Sequence, residues 1–177
     1  MTLAVLFEGG MIALALLVGW LIDIPILGAM EWNLTDLGLG IAVCVPMLLL
    51  FAACLRWPVG SLRSIREFTD DVIRPLFRSC SILDLAVICV LAGIGEEALF
   101  RGVLQPLLDR YFDWWLAIAM ASVAFGVMHP ITPTYVVLAT VVGVYLGLIF
   151  QWNQNLVVVM LAHALYDFVA LLYLTKS

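Results

Sequence analysis

Apolar residues run almost unbroken through six stretches of the chain: Thr2 to Ile22, Leu37 to Leu55, Ile82 to Leu108, Asp113 to His129, Pro133 to Gln151 and Leu156 to Leu174. Each is close to the ~20 residues a helix needs to cross a bilayer core, so the pattern predicts an all-α, polytopic transmembrane bundle of about six helices. The connectors are short except Arg56 to Ser81. There, Leu62, Ile65, Phe68, Val72, Ile73, Leu76 and Phe77 recur close to helical spacing, which predicts an amphipathic helix on the membrane surface. The plainer alternative is a solvated loop. The first stretch lacks a basic leading region and a small-residue cleavage site, and reads as a retained helix rather than a signal peptide, with Glu8 near its start.

Composition agrees with the pattern. Of 177 residues, 65% are hydrophobic and only 12% charged, against about 25% in soluble domains, and the mean hydropathy is +1.14. One membrane domain over residues 1–177 is expected, with the lipid bilayer as its solvent. The net charge of -5 is spread over connectors and intramembrane carboxylates and implies no nucleic-acid partner. Five of the eight basic residues, Arg56, Arg63, Arg66, Arg74 and Arg78, lie in the long connector, whereas Asp23 to Asp36 holds three acids and no base. The positive-inside rule therefore puts the long connector and both termini in the cytoplasm. Cys44, Cys54, Cys80 and Cys89 are too widely spaced for a metal knuckle and read as small packing residues.

Three polar patterns interrupt the apolar runs: EEALFR at Glu96 to Arg101, FGVMH at Phe125 to His129 and HALYD at His163 to Asp167. A charged side chain at helix centre costs roughly 2.5–3.5 kcal/mol on insertion scales, so adjacent carboxylates and an arginine there point to a site. Glu97 and Arg101 are four apart and share a helical face, while Glu96 is rotated about 100° away and free to face a cavity. His163 and Asp167 share a face in the same way, so the acid can orient the imidazole. Pro130 and Pro133 should end the helix near His129. Counted from the helix ends at one surface, Glu96, His129 and His163 lie about 20, 24 and 15 Å deep, close enough for a common cavity.

Hydrolysis suits this set. Glu96 and His129 would activate water, and His163 and Asp167 would orient it or stabilise the oxyanion, with no serine or cysteine nucleophile and no cofactor required. A zinc reading uses the same atoms, with Glu96, His129 and His163 as ligands and one position left for water, although the compact HExxH spacing is absent. Phe125 packs against the site, and the Gly93, Gly95, Gly102 and Gly143, Gly147 spacings suit close helix approach. Each motif has a purely structural alternative: an ion-paired network for the two glutamates, a capping or core role for His129. Two other classes use the same residues, a non-catalytic membrane scaffold or immunity protein and a small proton-coupled transporter. Transport lacks an internal repeat or paired interrupted helices.

EExxxR, FxxxH and HxxxD on successive apolar helices resemble the CAAX protease and bacteriocin-processing family, also called Abi, which includes the type II CAAX prenyl endopeptidases. The resemblance covers about residues 82–174. It implies an intramembrane endopeptidase acting on a membrane-associated peptide or protein, in which Glu96 activates water, Glu97 pairs with Arg101, and His129, His163 and Asp167 complete the site. It also implies the description metalloprotease, beside a glutamate-dependent mechanism without metal. The fourth motif position is Asp167, where members acting on prenylated proteins usually have Asn; an ionised Asp cannot donate to an oxyanion and would orient His163 instead. The length resembles that of prokaryotic members, which implies a prokaryotic plasma membrane.

Overall fold

The computed structural model describes residues 2–57 and 60–176; residues 58 and 59 of the long connector and the two chain ends lie outside the described residues. Each apolar run forms a helix, and no strand occurs among the described residues. In chain order these are α1 (Thr2–Leu21) and α2 (Leu34–Arg56), then α3 (Leu62–Phe77) in the long connector. There follow α4 (Ile82–Asp109), α5 (Trp114–Val127), α6 (Pro133–Asn153) and α7 (Leu156–Lys176). Helix starts carry local signals. Asn33 accepts from the Asp36 amide at 2.8 Å, Ser81 and Asp84 form a reciprocal capping box, and Thr132 caps α6 with Pro133 in its first turn.

Four helices among the described residues, α1, α2, α6 and α7, are long and apolar enough to cross a membrane, and a fifth span results if α3 and α4, bent by 113°, are taken together. The protein is thus an integral membrane helical bundle. Helix α4 carries Asp84, Glu96, Glu97 and Arg101 within its apolar length. Helix α5 has 14 residues, about 21 Å, less than the ~30 Å of a hydrocarbon core. It stops at Val127, just before His129 and Pro130, as the proline placement predicts.

Helix α7 is the central post. It packs on α2 and α4, while α1 packs on the outer side of α4 and α5 pairs with α6. Contact between α7 and α4 is backbone to backbone at Gly93, where a Cβ would stand 2.7 Å from the Met160 carbonyl and 2.8 Å from the Ala164 nitrogen. Without a hydrophobic drive between helices in lipid, such small-residue contacts supply the packing. The α1–α2 loop is fastened to the α6–α7 turn by buried Asn155. Its side chain accepts from the Glu31 and Val157 amides and donates to the Glu31 carbonyl and Asp36 carboxylate, at 2.8–3.0 Å.

Two π-helical turns depart from the simple periodic reading: Thr69–Ile73 within α3 and Phe100–Leu104 within α4. Each is followed within two residues by a proline, Pro75 and Pro106. A proline inside a helix lacks the amide for the i−4 carbonyl and clashes with it, and widening the preceding turn relieves both conflicts. The amphipathic helix of the connector is present, but its apolar face has a particular use. Leu62, Ile65, Ile73 and Phe77 are half-buried over a cavity in the bundle, while Val72 and Leu76 are exposed. Arg74 ties α3 to the end of α7, its Nε donating to the Leu174 carbonyl at 2.9 Å.

Candidate active site

Beneath α3 lies a cavity of about 680 Å³. Most of its wall is apolar, from residues such as Met47, Phe51, Ile88 and Leu138, but one side brings together Glu96, His129, His163 and Asp167. The four polar positions singled out in the sequence therefore converge from three elements: α4, the segment after α5, and α7.

Adjacency in sequence gives the two glutamates different surroundings. Glu97 is fully buried, 0% exposed, and Arg101 is 1% exposed. Glu97 Oε1 accepts from Arg101 Nη1 at 2.7 Å, as the i, i+4 spacing predicts, and also from His163 Nδ1 at 2.7 Å. That second bond reaches across 66 positions. Arg101 Nη2 donates to the Gly143 carbonyl on α6 at 2.9 Å, and its guanidinium carbon lies 4.6 Å from the Phe125 ring centroid. One turn further along, Gln105 repeats the clasp by donating to the Gly147 carbonyl at 3.2 Å. The glycines at 143 and 147 bare the carbonyls that these two side chains use.

Glu96, one residue earlier, faces the cavity. Its Oε2 lies 3.5 Å from His129 Nε2 and 4.0 Å from His163 Nε2. Each imidazole is oriented through its other nitrogen. His129 Nδ1 is 2.8 Å from the Phe125 carbonyl, which can only accept, so this nitrogen carries the hydrogen and Nε2 of the neutral ring is an acceptor toward Glu96. His163 Nδ1 is likewise committed to Glu97, leaving Nε2 facing Glu96 and, at 3.5 Å, Asp167 Oδ2. Phe125 packs between them, its ring centroid 4.7 Å from that of His129 and 5.9 Å from that of His163. Thus Glu97 holds His163 by the shorter contact, and Asp167, expected to orient it, stands on the opposite side of the ring.

For a metal, the test is whether donors converge. Among the described residues no three His, Cys, Asp or Glu side chains are grouped as a metal-binding set. Glu96 Oε2, His129 Nε2 and His163 Nε2, with separations of 3.5 and 4.0 Å from the carboxylate oxygen, are the atoms that would hold a zinc ion here.

Three residues at the site had no spacing motif to identify them. Tyr135 on α6 lines the cavity with its ring 6.2 Å from His129, Gln105 forms the second clasp, and Glu8 on α1 reaches the cavity wall. Glu8 was visible as a lone acid in an apolar helix; nothing local connected it to residues nearly ninety positions away.

Comparison with known proteins gives this geometry a family. The profile described as "Type II CAAX prenyl endopeptidase Rce1-like" matches residues 78–169, which contain Glu96, Glu97, Arg101, His129, His163 and Asp167. The chain is 28% identical over 140 residues to the uncharacterized protein YpbD of Bacillus subtilis (strain 168), covering 77% of this chain and 69% of that protein. No solved structure gives a significant match. The matched segment spans more than half of a chain built as a membrane helical bundle, and the protein belongs to the Rce1-like family of type II CAAX prenyl endopeptidases, which are membrane proteases.

Proposed function

We propose that the protein is an intramembrane endopeptidase that hydrolyses peptide bonds of membrane-associated polypeptides, with Glu96 and His129 activating the attacking water. The observation that carries this reading is the placing of Glu96 Oε2 beside two imidazole Nε2 atoms, 3.5 and 4.0 Å away, on the wall of a cavity lined mostly by apolar side chains. A water between Glu96 and His129 gives a proton to one of them as its oxygen attacks the scissile carbonyl carbon. His163, fixed by Glu97, turns Nε2 toward the same space and, when protonated, donates to the developing oxyanion; Asp167 stabilises that charged ring. The captured proton passes to the leaving amine as the C–N bond breaks, which restores the carboxylate and neutral imidazole. Every step uses residues of this chain, and no metal is required. The apolar walls suit apolar side chains of an extended polypeptide, and by the positive-inside rule the arginines of α3 and its flanks support a cavity that opens on the cytoplasmic side.

The test uses purified protein in nanodiscs with membrane-tethered peptides. Glu96→Ala and His129→Ala should each lower kcat by about 10²–10⁴-fold. Cleavage should survive a chelator. Loss with chelator and recovery with zinc would move the mechanism to a metal, and undiminished cleavage by Glu96→Ala would refute the assignment. A biological phenotype that persists in Glu96→Gln would favour a scaffold.

A further inference from the structure

A second, smaller cavity of about 220 Å³ adjoins the reaction centre between α1, α4 and the segment after α5. Its polar lining is Glu8, Glu96 and His129, and the rest is apolar, including Met11 and Phe100. Those three polar residues also line the large cavity, so they stand where the two spaces meet. Glu8 Oε2 and Glu96 Oε2 are both buried without a hydrogen-bond partner among the described residues. The close approach of α1 that brings Glu8 here depends on Gly95, next to Glu96: a Cβ at that position would stand 2.9 Å from the Glu8 carbonyl oxygen. Glu8 lies outside the family-matched segment, 78–169.

A carboxylate in an apolar helix is costly and normally has a partner. Here the facing groups are Glu96 on α4, His129 after α5, and His163 and Asp167 on α7, with no cation within bonding distance of Glu8 among the described contacts. Two carboxylate oxygens and an imidazole around a space this large are the two to four polar partners that a bound water needs. We propose that the small cavity is a water-binding site that supplies the hydrolytic water, and that Glu8 is the positioning residue that holds this water against Glu96 and His129. The division follows from the linings: the large apolar cavity takes the polypeptide, and the small one delivers the nucleophile. This inference rests on the proposed function. In the attack, the water held between Glu8 and Glu96 loses one O–H bond, its proton goes to Glu96 or His129, and its oxygen bonds to the scissile carbonyl; Glu8 orients the water and takes no proton.

The experiment compares wild type, Glu8→Leu, Glu8→Gln and Glu96→Gln in nanodiscs, with kcat and KM for a membrane-tethered peptide and radiolytic hydroxyl labelling of Met11 as a probe of internal water. Met11 is buried at 8% exposure, so its labelling requires water inside the protein. Glu8→Leu should lower kcat about ten- to hundred-fold with KM unchanged, the scale of a misplaced reacting group. It should also reduce Met11 labelling while thermal stability stays equal or rises, because an unpartnered acid leaves an apolar helix. Glu8→Gln keeps an acceptor oxygen at the same reach and should recover part of both kcat and labelling. Wild-type kcat and labelling in Glu8→Leu beside an inactive Glu96→Gln would overturn the water site and leave the protease reading standing. Full activity in Glu96→Gln would overturn the assignment of Glu96 as the water-activating group, and the water site with it. Loss of stability in Glu8→Leu with no recovery in Glu8→Gln would assign Glu8 to packing and overturn the proposal. Met11 labelling tests the water site even on a peptide that proves a poor substrate: no labelling in the wild type overturns it.

Discussion

Replacing Arg101 with methionine tests the buried framework behind the site. The change removes a 2.7 Å ion pair to Glu97, a 2.9 Å hydrogen bond to the Gly143 carbonyl and a cation over the Phe125 ring. Glu97, with no exposed surface, would keep only the His163 Nδ1 contact. Removing one partner of a buried pair costs about 3–5 kcal/mol, because the remaining charge stays uncompensated. The orphaned Gly143 carbonyl adds about 1 kcal/mol. Methionine fills most of the volume, so a cavity contributes little, and a loss of about 5 kcal/mol is expected. In the double variant Glu97→Gln, Arg101→Met no charge is stranded, and the glutamine oxygen can still accept from His163. It should therefore be more stable than Arg101→Met alone, with a coupling of about 1–3 kcal/mol. Reversible unfolding in bicelles titrated with SDS measures all four corners of the cycle. A loss below about 1 kcal/mol for Arg101→Met, or strict additivity in the double variant, would refute the view that the pair acts as one buried unit.

Three further outcomes follow from separate features. Gly93→Ala pushes a Cβ to 2.7 Å from the Met160 carbonyl and should cost about 1–3 kcal/mol in the same assay, whereas Gly9→Ala meets nothing within 4 Å and should gain about 0.5–1 kcal/mol from helix propensity. Asn155→Leu leaves the Glu31 and Val157 backbone groups without their side-chain partner and should cost about 1–3 kcal/mol, with faster hydrogen exchange at Glu31 as the local signature. On the proposed mechanism Asp167→Asn keeps an oxygen near His163 Nε2, now 3.5 Å from Asp167, and should hold kcat within about ten-fold, while Asp167→Leu should lose about 10²-fold or more.

The residues that sequence reasoning separated best are those whose relation is local. Glu97 and Arg101 share a face because 3.6 residues make a turn, and they form the pair that this spacing predicts. The same geometry turns Glu96 away, and it does line the cavity. The stop after Val127 follows from Pro130, and the capping box of α4 from Ser81 and Asp84. The π turn after Leu99 also had a local signal, Pro106, which an unbroken reading of Ile82 to Leu108 passes over. Relations between helices had no such signal. Asp167 shares a face with His163, yet the shorter bond to the ring comes from Glu97 on another helix. The connector helix is amphipathic as its spacing predicts, but only packing turns that face onto the cavity.

The chain by itself determined its solvent, its helical segments, the turns at which they end and the side chains that share a face, because each depends on composition or on residues within a turn or two. The tertiary structure decided which faces meet. It brought His129 and His163 to the same oxygen of Glu96, gave Glu97 two partners, and set Glu8 of α1 beside a site nearly ninety residues away. In lipid every outward face is apolar, so hydrophobic pattern cannot say which helix adjoins which; close backbone approach at positions such as Gly93 and Gly95 makes that choice, and it exists only once the helices are packed.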